Sequence, residues 1–172
     1  MKKPISALLA LLLLLSAAGC KEEKPFTAHD LLGSPFCCRM AIDVCGASYE
    51  GTFEKSSDKV MSFTLDKPAS LNGLCFVCDG GTVSASAGGV TFPLDTEGLP
   101  CEAVTAVLFD LFGGDESKNV LSVGDEVITL RHEGKRVVSF AEFDKKTRVP
   151  QRIFTESGNV TIVLSDHQKE AP

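Results

Sequence analysis

Beyond Cys20 the sequence has no apolar run long enough to cross a bilayer, which takes about 20 residues of continuous apolar helix. It also lacks a basic patch. Lys and Arg number 17 against 23 Asp and Glu, the net charge is −6, and loss of Lys2 and Lys3 would make it more negative still. Nucleic acid is therefore not an expected partner. No GK[ST] follows Gly80-Gly81 or Gly88-Gly89, so these pairs are turn glycines rather than a phosphate cradle. No serine stands in a nucleophile-elbow context. His29, His132 and His167 fall in a predicted helix, a predicted strand and the tail, so no local Ser-His-Asp assembly forms. The expectation is a chain without a catalytic site or cofactor.

What is present first is an export signal. Lys2 and Lys3 form a positive n-region, Ile5 to Leu15 an apolar core, and Ser16-Ala-Ala-Gly19 a small-residue approach to Cys20. Ala17-Ala-Gly-Cys20 followed by Lys21-Glu-Glu-Lys24 resembles the lipobox of bacterial lipoproteins, the alternative being an ordinary secretory peptide. The resemblance implies removal of residues 1–19, acylation of Cys20, a tether over 20–26, and a mature protein on the extracytoplasmic face of a membrane, periplasmic or cell-surface. One acyl chain holds weakly at about 0.8 kcal/mol per buried methylene, so stable anchoring takes more than one. The remaining length of about 150 residues suits one domain, read as 27–166 with a tail at 167–172, and a monomer is expected.

Along that domain Thr27 can cap a short helix through Leu32, closed by Gly33. Phe36 to Cys45 alternates with period two, as a half-buried strand does; Gly46-Ala47-Ser48 turns it into Tyr49–Lys55, and Ser56-Ser57-Asp58 into Lys59–Leu65. Leu74–Cys78 and Thr82–Ser86 flank Asp79-Gly80-Gly81, a strong hairpin signal, and Gly88-Gly89 leads back into Val90–Pro93. The period then changes. Within 101–112, Val104, Val107, Leu108 and Leu111 recur at helical spacing before Gly113-Gly114, leaving only Glu102, Thr105 and Asp110 polar. A helix so apolar must be covered by protein. Strands resume over Asp125–His132, with Ile128 and Leu130 inward, then Arg136–Phe143, and a last hairpin pairs Gln151–Glu156 with Val160–Ser165.

Antiparallel strands with one apolar face need a lid, and the 100–112 helix is the candidate. The fold class is α+β: a strongly curved antiparallel sheet, an incomplete barrel, with that helix in its concave face. In element order, and in Asp144 followed by Pro150-Gln-Arg-Ile153, residues 27–165 resemble the bacterial outer-membrane lipoprotein carrier (LolA-like) group. The resemblance implies a groove for acyl chains. Its lining would be Met40, Ile42, Phe53, Met61, Phe63, Val104, Val107, Leu108, Leu111, Ile128 and Leu130, holding a lipid or an acylated protein. The same residues, with Phe36 and Ile162, serve equally as plain core, in which case the chain is an interaction or sensor module recognising another envelope protein.

Six further cysteines, Cys37, Cys38, Cys45, Cys75, Cys78 and Cys101, read as candidate disulfide partners or buried thiols in an exported domain. Cys75-Phe-Val-Cys78 has redox spacing but ends a strand beside Asp79, which disfavours a thiolate. Adjacent Cys37 and Cys38 point to opposite faces of a strand and make a poor zinc pair. A thiol-redox or metal-binding domain is the third reading.

Overall fold

The computed structural model describes residues 26–57, 59–95, 103–135 and 137–168. Cys20 with its lipobox, Cys101 and residues 100–102 of the predicted mid-chain helix lie outside them, while Ala103 is extended and caps a helix that begins only at Val104.

Among the described residues a single antiparallel sheet of eleven strands carries the fold. Helix α1 (Ala28–Leu32) precedes β1 (Phe36–Val44), β2 (Ala47–Lys55) and β3 (Val60–Lys67). A 3-10 turn at Ala69–Leu71 leads to β4 (Cys75–Asp79), β5 (Thr82–Ala87) and β6 (Val90–Leu94). Helix α2 (Val104–Gly113) and a second 3-10 turn, Glu116–Lys118, separate these from β7 (Asn119–Val123), β8 (Val127–Glu133), β9 (Val138–Asp144), β10 (Pro150–Thr155) and β11 (Val160–Gln168). The spatial order is β6-β5-β4-β3-β2-β1-β11-β10-β9-β8-β7, two meanders joined where the first and last strands pair. Among the described residues the sheet is open, with β6 and β7 as its edges.

Local chemistry explains most element ends. Thr27 caps α1 through a reciprocal box with Asp30: the Thr27 Oγ1 accepts from the Asp30 N–H, and the Asp30 carboxylate accepts from the Thr27 N–H at 2.9 Å. The first hairpin is tighter than the sequence suggested. Its turn is Cys45-Gly46, not Gly46-Ala47-Ser48, because both residues take positive φ (52° and 83°) and Val44 pairs directly with Ala47. The predicted tail from 167 is also revised: β11 continues through Gln168, with Gln168 opposite Cys37.

One face of the sheet is mostly apolar, with Lys55, His132, Ser139 and Thr155 as its buried polar positions. The inward positions Phe36, Cys38, Met40, Ile42, Phe53, Met61, Phe63, Ile128, Leu130, Phe143, Ile153 and Ile162 are all buried and belong to one continuous core. Full burial of each large aliphatic or aromatic side chain contributes roughly 1.5–3 kcal/mol. Helix α2 joins this core with Val107, Leu108, Phe109, Leu111 and Phe112, as an all-apolar helix must.

Candidate functional site

The proposed groove residues are brought together, and they are packed. Phe53, Met61, Val107, Leu108, Ile128 and Leu130 are 0% exposed, Met40, Ile42, Phe63 and Leu111 are 3% or less, and Val104 is half-buried against the same cluster. The contacts between helix and sheet are ring on ring. Phe112 lies 5.6 Å from Phe36 and 5.3 Å from Phe53, centroid to centroid, and Phe109 lies 6.1 Å from Phe63. These separations lie within the ordinary range for touching aromatic pairs, so at these three points α2 is packed against β1–β3.

Sequence reasoning missed the polar node at the end of α2. His132 is inward-facing on β8 and 1% exposed. Its Nδ1 is 2.7 Å from Asn119 Oδ1 on β7, and its Nε2 faces Asp110 Oδ2 on α2 at 3.6 Å. Asp110 Oδ2 also accepts from the Lys135 N–H at 3.2 Å. A Cβ at Gly134 would stand 2.0 Å from Asp110 Oδ2, so the β8–β9 turn closes on this carboxylate only because it is glycine. The signal available in sequence was the lone polar residue, Asp110, on an otherwise apolar helix face.

The His132 imidazole, helped by the Lys135 N–H and the nearby Lys118 charge, holds the Asp110 carboxyl below the usual carboxylate range against the opposing pull of burial. A depressed folded pKa means a stabilising contribution that is present above the unfolded value of about 3.9 and lost as pH falls through the folded one. Asp110→Asn is therefore expected to lower stability at neutral pH, with the gap to wild type closing below about pH 4. Denaturant melts at stepped pH would read this, and a constant gap would contradict it.

Among the described cysteines, Cys75 and Cys78 do not form a reactive pair. Cys75 and Cys78 lie three residues apart in an extended strand, on opposite faces and separated by roughly 10 Å, beyond the ~7 Å reach of a disulfide. Burial, and then the neighbouring Cys37, push the Cys38 thiol up to about 12. Burial also raises Cys78. Cys38, Cys45, Cys75 and Cys78 carry free thiols, and Cys37 is half-buried. Among the described residues no group of three or more His, Cys, Asp or Glu could hold a metal ion. Among the described cysteines only Cys45, in its turn, is exposed. Ellman titration should show Cys45→Ser losing one fast-reacting equivalent, while Cys38 reacts only on unfolding.

At one end of the sheet a cleft of about 210 Å³ opens between α1, the β9–β10 loop and the end of β11, lined by Asp30, Phe36, Arg148, Pro150, His167 and Gln168 among others. Asp144 builds the loop by accepting from the Thr147 and Lys146 N–H groups, which sets Arg148 at φ 60° with its guanidinium over Phe26. Burial lowers the His167 pKa below the ordinary imidazole value, against hydrogen bonds that raise it.

No protein-family model matches the sequence, and no curated protein matches it. Solved structures do. An uncharacterised conserved protein from Thermus thermophilus is similar over 84% of this chain and 84% of its own, at 12% identity and a TM-score of 0.52. MucB is similar over 84% of this chain at 14% identity and a TM-score of 0.51, and the chain spans only 56% of MucB. The LolA superfamily protein NE2245 from Nitrosomonas europaea aligns over 86% of this chain and 96% of its own, at 12% identity and a TM-score of 0.48. Among the described residues no helix is long and apolar enough to cross a membrane. At such identities the likeness to the Thermus protein and to part of MucB is one of fold.

Proposed function

We propose that this chain is a non-catalytic, extracytoplasmic recognition module, held on a membrane by acylated Cys20, that binds a protein partner of the envelope over a filled core. In this reading the sheet is a LolA-like curved sheet whose concave side is occupied by α2 rather than by a ligand. The observation that carries it is the aromatic seam: Phe109 and Phe112 sit directly on Phe36, Phe53 and Phe63, in the space an acyl chain would need. To admit a lipid there, α2 would have to lift and expose five large buried side chains, at a cost of roughly 1.5–3 kcal/mol each. MucB, which shares the fold over part of its length, forms a complex with MucA, which fits a fold used for protein partnering.

Native mass spectrometry tests this reading. The chain from Lys21 onward, exported behind a cleavable secretory signal and purified without detergent, should show the bare polypeptide mass and take up no added phospholipid or fatty acid. A mass excess that disappears on denaturation and is identified as lipid would overturn it in favour of the acyl-groove function.

A further inference from the structure

The two edges of the open sheet are not equivalent. The outer strand β6 carries Pro93, which removes a main-chain donor and is one of the usual ways of blunting an edge. The opposite edge, β7, has neither proline nor lysine between Asn119 and Val123, and its register with β8 is regular. Among the described residues its only strand partner is β8, and apart from the Asn119 N–H, which donates to the Glu116 carbonyl, no main-chain bond to another element is seen. Helix α1 lies alongside, with His29 reaching Glu116 ahead of the strand, yet Val120, Ser122 and Val123 stay exposed, Val120 at 59% and Val123 at 51%. Val120 pairs with Arg131 on the outer face and Val123 with buried Ile128 on the inner face, so apolar side chains stand uncovered on both sides of one unpaired backbone.

We propose that β7 is a docking edge to which an extended segment of a partner protein adds as a further strand, with apolar side chains at alternating positions and basic residues at its ends. The proposal rests on the partner-recognition reading and says how recognition occurs. The main chain of β7 supplies hydrogen bonds, and Val120 and Val123 supply the apolar contacts on the two faces. The basic ends follow from charge. Asp115 and Glu116 precede the strand and Asp125 and Glu126 follow it, all exposed, so four carboxylates stand against two ammonium groups, Lys118 within the stretch and Lys145, whose Nζ donates to the Gly124 carbonyl at 3.1 Å. Charge also argues against a second copy of this chain: antiparallel self-pairing centred on Leu121 would bring the acidic stretch 115–116 of one copy near 125–126 of the other, and like charges brought together destabilise the pairing.

The probe is a synthetic nonapeptide, Val-Thr-Val-Thr-Val between two pairs of lysines, titrated into the full chain and followed by amide NMR shifts and hydrogen exchange. Perturbation and slowed exchange are expected at residues 119–123. Binding should weaken about tenfold in Val120→Lys, which places a charge on the edge, and stay unchanged in Val90→Lys on β6. The same peptide flanked by glutamates should bind much more weakly. No perturbation, perturbation at β6 or the cleft instead, equal binding of the acidic peptide, or a dimer by sedimentation that Val120→Lys dissociates would each overturn the proposal. A lipid-free protein that ignores the peptide fails this proposal alone, whereas bound lipid fails the partner-recognition reading whatever the peptide does.

Discussion

Phe112→Ala is expected to cost about 3–5 kcal/mol of folding stability, the range for truncating a well-packed core phenylalanine. Phe112 is 4% exposed and touches two rings on two different strands, so the deletion leaves a cavity at the junction of α2, β1 and β2 that none of the three can close alone. Because domains of this size are stable by only about 5–15 kcal/mol, the variant should unfold at a much lower denaturant midpoint, with the exposed Val163→Ala as the control that stays near wild type. Chemical denaturation followed by circular dichroism measures both. A loss below about 1 kcal/mol for Phe112→Ala would mean that α2 rests loosely on the sheet, and the acyl-groove function would regain its footing.

Gly51→Ala is expected to cost about 3 kcal/mol, at the upper end for overpacking a dense interior. Gly51 sits in β2 where the pairing with β3 slips by a residue between Glu50 and Gly51. A Cβ there would stand 2.2 Å from the Thr64 carbonyl oxygen and 3.3 Å from the Leu65 Cα, so the neighbouring backbone itself must move. Gly73→Ala provides the contrast. Its φ is 81°, but nothing lies within 4 Å of the added carbon, so the cost should be only the left-handed strain of about 1–2 kcal/mol. Thermal melts of the two variants should therefore differ, and equal losses would show that the close approach at Gly51 relaxes without cost.

Much of the fold was legible because binary pattern and turn chemistry act locally. Alternation in 36–45 and 59–65 marked half-buried strands, and Met40, Ile42, Met61 and Phe63, read as facing the interior, are all buried. Gly80-Gly81 and Gly88-Gly89 marked two hairpins whose turns take the positive φ that glycine permits. The first hairpin was misplaced because Cys45, a residue with no turn preference, adopts positive φ beside Gly46, helped by the Asp43 carboxylate accepting the Gly46 N–H. The end of β11 was misplaced because Asp166-His167-Gln168 is polar and reads as tail, while pairing with Cys37 keeps it in the sheet.

By itself the sequence determined most of the strands, the apolar helix and the side chains that face inward, since each follows from a period of two or 3.6 and from nearby glycines. It did not set β7 apart from the predicted Asp125–His132 strand, whose first two residues lie outside the sheet. Only the tertiary structure decided what those inward side chains surround. The same apolar residues could line a groove or fill it, and the difference lies in the distance between α2 and the sheet, set by three ring contacts between residues more than 40 positions apart. The Asp110–His132–Asn119 node and the unequal edges β6 and β7 are equally non-local. Which strand is outermost depends on β1 pairing with β11, a contact between the two ends of the domain that no local pattern encodes.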